Sequence, residues 1–305
     1  MTEHVWPVNL PRTPVLVLRG QRFDAAHPAV MAILNRTPDS FWASSGSQGV
    51  DESLAALDAA VAAGADLVDV GGVRAGQAGD WVDARTEIGR IQPLLAKARE
   101  RHPDLVLSVD TWRSEVLAAV ADLGIDLVND TWAGHDPDLA AAAGDLGAGY
   151  VVSHTGGLPP RTDPVAVSYG DDPDAVVASV ITGLREGARR AMDAGVAPEA
   201  VLVDPTLDFG KTTRHSLRVL RATAQIASLG HPVLQAISRK DFVGETLGLP
   251  VADRLEGSLA ATAVAAWLGA TVFRTHDVAA TRRTLDMVAS VRGDRPPARA
   301  ERGEP

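Results

Sequence analysis

Polar side chains that could bind a charged heterocycle recur along this sequence, each at or just beyond the end of a short apolar run. Carboxylates and amides gathered in one pocket can pair with the edge of an amino-substituted ring. A lysine there can meet a ring carbonyl, a ring nitrogen or an anion. An arginine and a histidine two positions apart share one strand face and suit a phosphate or pyrophosphate. The residues concerned are Asn35, Asp110, Asn129, Asp204, Lys240, Arg274 and His276.

These residues can act together only if the secondary structure brings them to one place. Short apolar runs alternate with helical patterns in about eight β/α units, and such alternation predicts a parallel sheet. Eight units favour a single (β/α)8 TIM barrel over an open sheet, and no G-x-G-x-x-G motif follows an early strand. In a barrel, the C-terminal ends of the strands converge on one mouth. Taken alone, Asp110 or Asp204 could equally cap a helix.

The predicted elements follow from this alternation. After the run that ends at Asn35, the predicted strands are Asp66–Gly72, Leu105–Asp110, Asp126–Asp130, Tyr150–His154, Ala200–Pro205, Pro232–Ser238 and Thr271–His276. The predicted helices are Asp51–Ala63, Ala84–Arg101, Arg113–Leu123, Pro137–Leu146, Pro173–Ala194, Thr213–Ser228, Asp253–Leu268 and Asp277–Val291. Residues 1–29 are predicted to form an arm and a short hairpin that plugs one end of the barrel. The barrel itself spans 30–292, and we expect 293–305 to be a disordered tail.

Composition limits the classes of function. The 305 residues carry a net charge of −10, which argues against binding of nucleic acid or of an anionic membrane. The chain has no cysteine, no apolar run of transmembrane length and no signal-peptide pattern, so we expect a cytoplasmic protein. Lysine occurs only at Lys97, Lys211 and Lys240, and the last two fall in predicted strand-to-helix loops. A local cationic pocket on an acidic protein suits a small anionic ligand.

Motifs at the strand ends resemble, in the same order, those of the dihydropteroate synthase family, the pterin-binding (β/α)8 barrels of folate synthesis. The resemblance covers about Val30 to Val291. It is carried by Asn35-Arg36-Thr37-Pro38-Asp39-Ser40-Phe41, Ser108-Val109-Asp110-Thr111, Val128-Asn129-Asp130, Asp204-Pro205, Phe209-Gly210-Lys211, Ser238-Arg239-Lys240 and Arg274-Thr275-His276-Asp277-Val278.

The resemblance implies a role for each matching residue. Asp110, Asn129, Asp204 and Lys240 would hold the pterin ring. Asn35 would ligate Mg²⁺ and contact the pyrophosphate, which Arg274 and His276 would also hold. Lys240, Arg274 and His276 would be the catalytic residues. In the family's reaction, pyrophosphate leaves the methylene carbon of the pterin and the amine of p-aminobenzoate attacks that carbon. The resemblance also implies a homodimer, for which Leu255, Leu259 and Trp267 are possible interface residues.

The chain departs from the family where p-aminobenzoate would bind. The family's Gly-Gly-Glu-Ser-Thr-Arg-Pro-Gly loop is replaced by Gly71-Gly72-Val73-Arg74-Ala75-Gly76-Gln77-Ala78. Asp241 stands where the family has a serine that donates to the substrate carboxylate, so two like charges would meet. Other departures touch the wall of the pterin pocket. The family's Asp-Pro-Gly-Ile-Gly becomes Asp204-Pro205-Thr206-Leu207-Asp208, Ala236 replaces a glycine, and His154-Thr155-Gly156 replaces His-Met. Side chains added where glycine stood narrow the pocket.

Three functions are therefore open at this stage. The first is an active dihydropteroate synthase. The second, which the departures favour, is a pterin-binding homologue with weak or absent synthase activity. A pterin-dependent methyltransferase is the third, and the Arg274-Thr275-His276 clamp for pyrophosphate speaks against it.

Overall fold

The computed structural model describes residues 12–36, 47–74, 81–162 and 167–302. Its strands are β1 (Leu16–Leu18), β2 (Gln21–Phe23), β3 (Ala29–Asn35), β4 (Leu67–Gly71), β5 (Val106–Asp110), β6 (Leu127–Asp130), β7 (Gly149–Ser153), β8 (Val201–Asp204), β9 (Leu234–Ala236) and β10 (Val272–Thr275). Its α-helices are α1 (Ser47–Ala62), α2 (Ala84–Arg101), α3 (Ser114–Val120), α4 (Leu139–Asp145), α5 (Ala175–Asp193), α6 (Thr213–Arg221), α7 (Thr223–Ala227), α8 (Asp241–Leu247), α9 (Leu255–Trp267) and α10 (Val278–Arg292).

Eight parallel strands, β3 to β10, form a closed barrel. Neighbours follow chain order from β3 to β8, and β10 lies between β3 and β9. A parallel bridge between Val203 and Val233 joins β8 to the start of β9. The Val203 N–H donates to the Pro232 carbonyl at 2.9 Å across the same seam. The predicted (β/α)8 barrel is therefore confirmed.

Alternate residues of a strand point to opposite faces, so the barrel strands contribute to two separate apolar layers. Val30 and Val68 belong to the layer between the strands and the helices. Met31 and Leu67, their neighbours in sequence, fill the barrel interior instead. All four side chains are fully buried, which explains why the strands read as continuous apolar runs rather than alternating ones.

The hairpin formed by β1 and β2 plugs one end of the barrel, as predicted. The two strands are antiparallel, with Leu16 opposite Phe23. Leu16, Leu18 and Phe23 are buried and pack on the interior cluster that contains Met31 and Leu67. Each such side chain contributes roughly 1.5–3 kcal/mol by leaving water. The plug lies away from the carboxyl ends of the barrel strands, where the polar residues stand.

Several predicted boundaries were wrong. The helix expected over 213–228 is interrupted at Ala222, because Thr223 Oγ1 donates to the Leu220 carbonyl at 2.6 Å and competes with the helical pattern. Helix α8 was not predicted, and a short 3-10 turn precedes α9. Residues 293–302 contain neither helix nor strand, and Arg295 pairs with Asp286 at 2.6 Å. The expectation of a disordered tail stays a prediction.

Parts of two sequence motifs lie outside the described residues: 37–41 of the first motif and 75–78 of the loop that differs from the family. In the portion of the chain that the structure covers, no helix is long and apolar enough to cross a membrane.

Candidate active site at the barrel mouth

Strand register places four of the site positions side by side. Asn35 at the end of β3 is opposite Gly71 of β4, Gly71 is opposite Asp110 of β5, and Asp110 is opposite Asn129 of β6. A Cβ atom on Gly71 would lie 3.1 Å from Asn35 Oδ1 and 3.4 Å from the Asp110 Cβ. Glycine at this position therefore lets the two flanking side chains share the space above it.

Arg274 of β10 points into this row of residues and binds two carboxylates. Its Nε lies 2.6 Å from Asp69 Oδ2, and its Nη2 lies 2.8 Å from Asp110 Oδ2. The Asp69 carboxylate is fully buried and also accepts bonds from Ser108 Oγ at 2.6 Å and Asn129 Nδ2 at 3.0 Å. One buried network thus joins four of the strands.

Asp69 is a site residue that the sequence reasoning missed. It is the central polar residue of the apolar run Leu67–Gly71 and is placed by β4 toward the barrel interior. The sequence alone could have indicated it, because an acidic residue inside a strand that is buried on both faces needs hydrogen-bonding or charged partners. The partners themselves could not be read locally, because Ser108, Asn129 and Arg274 come from other strands.

Burial sets the charge state of this network. Desolvation raises the pKa of Asp110 to about 7; Arg274 opposes the rise, and the nearby Asp69 carboxylate adds to it. Thr131 Oγ1 also donates to Asp110 Oδ1 at 2.8 Å. Arg274, which was expected to bind pyrophosphate, is therefore paired with one residue expected to bind the pterin, Asp110, and with Asp69, and it does not face solvent as a free cation.

Asp204 and Lys240 form the opposite wall of the mouth. Asp204 ends β8, is buried, and accepts a bond from the Thr206 N–H at 2.7 Å. The Lys240 ammonium donates to the Leu207 carbonyl and lies 5.1 Å from the centre of the Phe209 ring. Burial lowers the pKa of Lys240, and the carboxylates of Asp208 and Asp204 oppose that change. The structure therefore places a lysine beside acceptors on this wall, and its role toward a ligand stays a prediction.

The other predicted cations differ from one another in exposure. His276 is exposed, and its Nδ1 lies 3.2 Å from Ser238 Oγ. Lys211, which the sequence placed in a cationic pocket, is buried instead. Its ammonium donates to the carbonyls of His154 at 2.7 Å and Phe209 at 2.9 Å. Desolvation lowers the pKa of Lys211 to about 7. We therefore correct the interpretation of Lys211, which braces the loop after β8 and does not face the mouth.

That loop has strained backbone where the family has glycine. Thr206 and Asp208 have φ angles of +51° and +71°, in the left-handed region. This conformation costs an L-residue roughly 1–2 kcal/mol. Asp208 offsets part of the strain because its carboxylate accepts from Ser216 Oγ at 3.0 Å and from the Phe242 N–H at 3.2 Å. The substitutions thus place a carboxylate between the loop and the first turn of α8.

Asp241 is paired with an arginine. It is exposed, and its Oδ1 accepts from Arg254 Nη1 at 2.8 Å. The expected clash between Asp241 and the carboxylate of p-aminobenzoate is therefore reduced, because an arginine already balances the charge. The serine hydroxyl that the family uses is still missing at this position.

An aromatic cluster also lies at the mouth. Trp132, which follows β6, packs edge-on against Phe209 with ring centres 5.5 Å apart and against Trp112 at 6.5 Å. Both tryptophans are buried, and Val73 and Leu158 complete the cluster. Sequence reasoning missed the tryptophans, although each follows a strand-end motif by one or two residues. Trp132 and Lys240 therefore both lie close to the Phe209 ring.

Comparison with known proteins agrees with the geometry. Residues 31–276 match the model of the pterin binding enzyme family. The inactive dihydropteroate synthase 2 of Mycobacterium leprae is 51% identical over 287 residues, which cover 94% of this chain and 98% of that protein. The protein of the same name from Mycobacterium tuberculosis H37Rv is 53% identical over 274 residues, or 90% of this chain and 86% of that one. The dihydropteroate synthase of Escherichia coli K12 is 33% identical over 273 residues, or 90% and 95%.

Solved structures give the same result. The Yersinia pestis dihydropteroate synthase with a sulfonamide drug complex superposes with a TM-score of 0.82 at 30% identity, covering 92% of this chain and all of that one. The Xanthomonas albilineans enzyme in complex with 7,8-dihydropteroate gives a TM-score of 0.77 at 33% identity, covering 92% and 99%. From its matching segment, its relatives and its fold, the chain belongs to the pterin-binding enzyme family and is a homologue of dihydropteroate synthase.

Proposed function

We propose that this protein binds a pterin, or the pyrophosphate of a pterin, at the barrel mouth and has weak or absent synthase activity with p-aminobenzoate. The proposal rests on a contrast between two sides of the barrel mouth. The polar groups expected to hold the pterin are all present, whereas the side expected to receive p-aminobenzoate has changed. The names of the relatives that are 51% and 53% identical support the proposal, because both are called inactive.

The pterin side supplies complementary hydrogen-bonding groups. Asp110 and Asp204 offer carboxylate oxygens, Asn129 offers an amide and Lys240 an ammonium group. Asp110 has Arg274 as its present partner at 2.8 Å, so a ring that binds Asp110 competes with the guanidinium. A pterin that also carries pyrophosphate could receive that guanidinium on its phosphate oxygens. Ligand binding would then exchange one charged partner of Arg274 for another.

For Mg²⁺, the described side chains offer a partial site. Asn35 Oδ1 lies beside Asp110 above Gly71, and amide oxygens are acceptable ligands for this ion. Among the described residues, no group of three His, Cys, Asp or Glu side chains could hold a metal by itself. Mg²⁺ keeps several waters and commonly binds through substrate phosphates. We therefore place Mg²⁺ with the pyrophosphate, with Asn35 contributing one oxygen and Arg274 the positive charge. Desolvation, with a further contribution from Arg274, lowers the pKa of His276 to about 4, so near pH 7 this residue would contribute a neutral ring.

The proposed loss of synthase activity is explained by changes in the region expected to bind p-aminobenzoate. The hydroxyl donor is replaced by the Asp241 carboxylate, and the available cation, Arg254, is bound to it at 2.8 Å. The Phe209 ring is contacted by Trp132 and Lys240. A benzoate ring would bind without the donor that normally orients it, so productive geometry for attack would be rare.

A homodimer and a cytoplasmic location are further parts of the proposal. The expected interface residues Leu255, Leu259 and Trp267 are half-buried, and the first two also line a small cavity. Helices α9 and α10 in addition expose Val264, Met287 and Val291, which offer an apolar face to a second copy. Light scattering of the wild type and of Val291→Asp tests the dimer: we expect the variant to be monomeric, and a monomeric wild type refutes it. Cell fractionation tests the location.

Calorimetry with hydroxymethyl-dihydropterin pyrophosphate, with and without Mg²⁺ and p-aminobenzoate, tests the main proposal. We expect the pterin pyrophosphate to bind, binding to strengthen with Mg²⁺, and p-aminobenzoate to add little heat and little product. Turnover at a rate ordinary for enzymes, roughly 1 per second or faster, would refute the proposed loss of activity. Failure of the pterin pyrophosphate and of pterin itself to bind would refute the proposed ligand.

A further inference from the structure

A second cavity, of about 590 Å³, opens beside the barrel mouth between the end of β7 and helix α5. This volume is within the range of small-molecule sites. The residues that line it are Ala133, Ser153, His154, Thr155, Gly156, Gly157, Ala178, Ser179, Thr182, Gly183, Glu186 and Arg190. The polar residues expected to hold the pterin, the pyrophosphate and the metal are not among them, although the segment His154-Thr155-Gly156 replaces family residues of the pterin wall.

Close packing of α5 on β7 shapes the floor of this cavity. A Cβ on Gly183 would come within 2.9 Å of the His154 ring, and one on Gly187 within 2.3 Å of Val152 Cγ1. The two glycines therefore allow the helix to approach the strand and let the ring of His154 lie against it. Arg190 Nη2 is 3.6 Å from the Cβ position of Gly187, so the guanidinium folds back along the helix toward the cavity.

His154 is a buried polar group with unused bonding capacity. Its side chain is only 7% exposed, and Nε2 lies 3.1 Å from Ser179 Oγ. No described residue bonds to Nδ1. Desolvation, with a further contribution from Lys211, lowers the pKa of His154 to about 3, so its ring is neutral near pH 7. A buried polar atom without a side-chain partner leaves bonding capacity that a water molecule or a ligand group can use.

The remaining groups around the cavity favour an anion. Gly156 and Gly157 have successive positive φ angles of 69° and 85°, so the chain makes a tight turn at the cavity edge. Hydroxyl groups come from Thr155, Ser179 and Thr182. No ion pair forms between Arg190 and another described residue, so its charge is not already neutralised.

We propose that this cavity is a second ligand site, separate from the pterin site, for a small metabolite that carries a carboxylate or phosphate group. Arg190 and the Gly156–Gly157 turn would bind the anionic group, and His154 and the hydroxyls of α5 would bind the rest of the molecule. Glu186, one turn before Arg190, places a negative charge at the same opening. That charge selects against highly charged anions and favours a ligand that also carries a hydrogen-bond donor.

Titration calorimetry with inorganic phosphate and, separately, with acetate tests the proposal and distinguishes the two kinds of anionic group. Arg190→Gln should weaken binding of the preferred anion by about tenfold or more, because it removes a charge-assisted donor. Thr182→Val should weaken it as well. Arg189→Gln is the matched control: its arginine is adjacent, pairs with Asp193 at 2.7 Å and does not line the cavity, so binding should be unchanged.

Anion binding by Arg274→Lys shows whether the bound anion occupies this cavity or the proposed pyrophosphate site. Anion binding that persists in Arg274→Lys and weakens in Arg190→Gln supports the second site. Binding that is lost in Arg274→Lys and unchanged in Arg190→Gln overturns it, while leaving the proposed function in place. If the wild type binds neither phosphate nor acetate at millimolar concentration, the second site is also overturned. Circular dichroism of each variant confirms that the comparison is made between folded proteins.

Discussion

Asp69→Asn is the substitution that most directly tests how Arg274 is held. The carboxylate has no exposed surface and accepts from Ser108, Asn129 and Arg274. An asparagine can turn its oxygen toward Arg274 and Asn129 and its NH₂ group toward the Ser108 hydroxyl, which can rotate to accept. Hydrogen bonding is then largely preserved, and the main change is the loss of one negative charge beside the guanidinium.

The expected effect on stability is large. Removing one partner of a buried ion pair typically destabilises a protein by about 3–5 kcal/mol. Arg274 keeps Asp110 at 2.8 Å in the variant, so we expect a loss near 3 kcal/mol in the free energy of unfolding. The control Ser108→Ala keeps the charge and removes one donor to a carboxylate, a change worth about 1.5–3 kcal/mol. Urea unfolding of the three proteins measures both losses.

Pyrophosphate binding should respond in the opposite direction. If the two carboxylates withhold Arg274 from the anion, neutralising Asp69 lowers the energy needed to release the guanidinium, and pyrophosphate should bind more tightly to Asp69→Asn. Ser108→Ala should leave the affinity nearly unchanged. A smaller stability loss in Asp69→Asn than in Ser108→Ala would refute the ion-pair argument. Weaker pyrophosphate binding in Asp69→Asn would show that Asp69 positions Arg274 for the anion instead of withholding it.

Three further substitutions test other parts of the site. The folded-state pKa of Asp110 is raised from 3.8 to about 7. The stability that its protonated form contributes is therefore present below about pH 4 and lost as the pH rises to about 7. The difference in unfolding free energy between wild type and Asp110→Asn should change over that pH interval, and a constant difference in urea titrations would contradict this prediction. Asp241→Ser alone should improve p-aminobenzoate capture less than about tenfold, because the existing ion pair already screens the charge. Combined with Ser-Thr-Arg-Pro at 74–77, it should give a more-than-additive gain in synthase rate. Gly71→Ala should weaken pyrophosphate binding in the presence of Mg²⁺, since its Cβ would lie 3.1 Å from Asn35 Oδ1. If calorimetry shows an unchanged affinity, Asn35 does not take part in binding the anion.

The fold could be predicted because each strand is recognisable from its own short stretch of sequence. Each barrel strand is buried on both faces, so runs such as Leu67–Gly71 read as continuous apolar segments with a turn after them. The polar strand ends were found for the same reason, and the register of Asn35, Gly71, Asp110 and Asn129 brings them together as expected.

The interactions between those residues could not be predicted in the same way. The ion pairs of Arg274 join residues 164 and 205 positions apart in sequence, and nothing local distinguishes a guanidinium that faces solvent from one bound to two carboxylates. The pairing of Asp241 with Arg254 depends on how α8 and α9 pack. The break at Ala222 depends on one side-chain hydrogen bond from Thr223, which the helical periodicity of the segment conceals.

The plug formed by Leu16, Leu18 and Phe23 has a consequence for how this family can diverge. The plug and the apolar interior stabilise the end of the barrel away from the mouth, and the strand–helix layer stabilises the wall. Mutations that alter the second-substrate side therefore leave most of the folding energy in place. A homologue of this kind can therefore lose a reaction and still fold. Its remaining pockets would then be available for selection on binding alone.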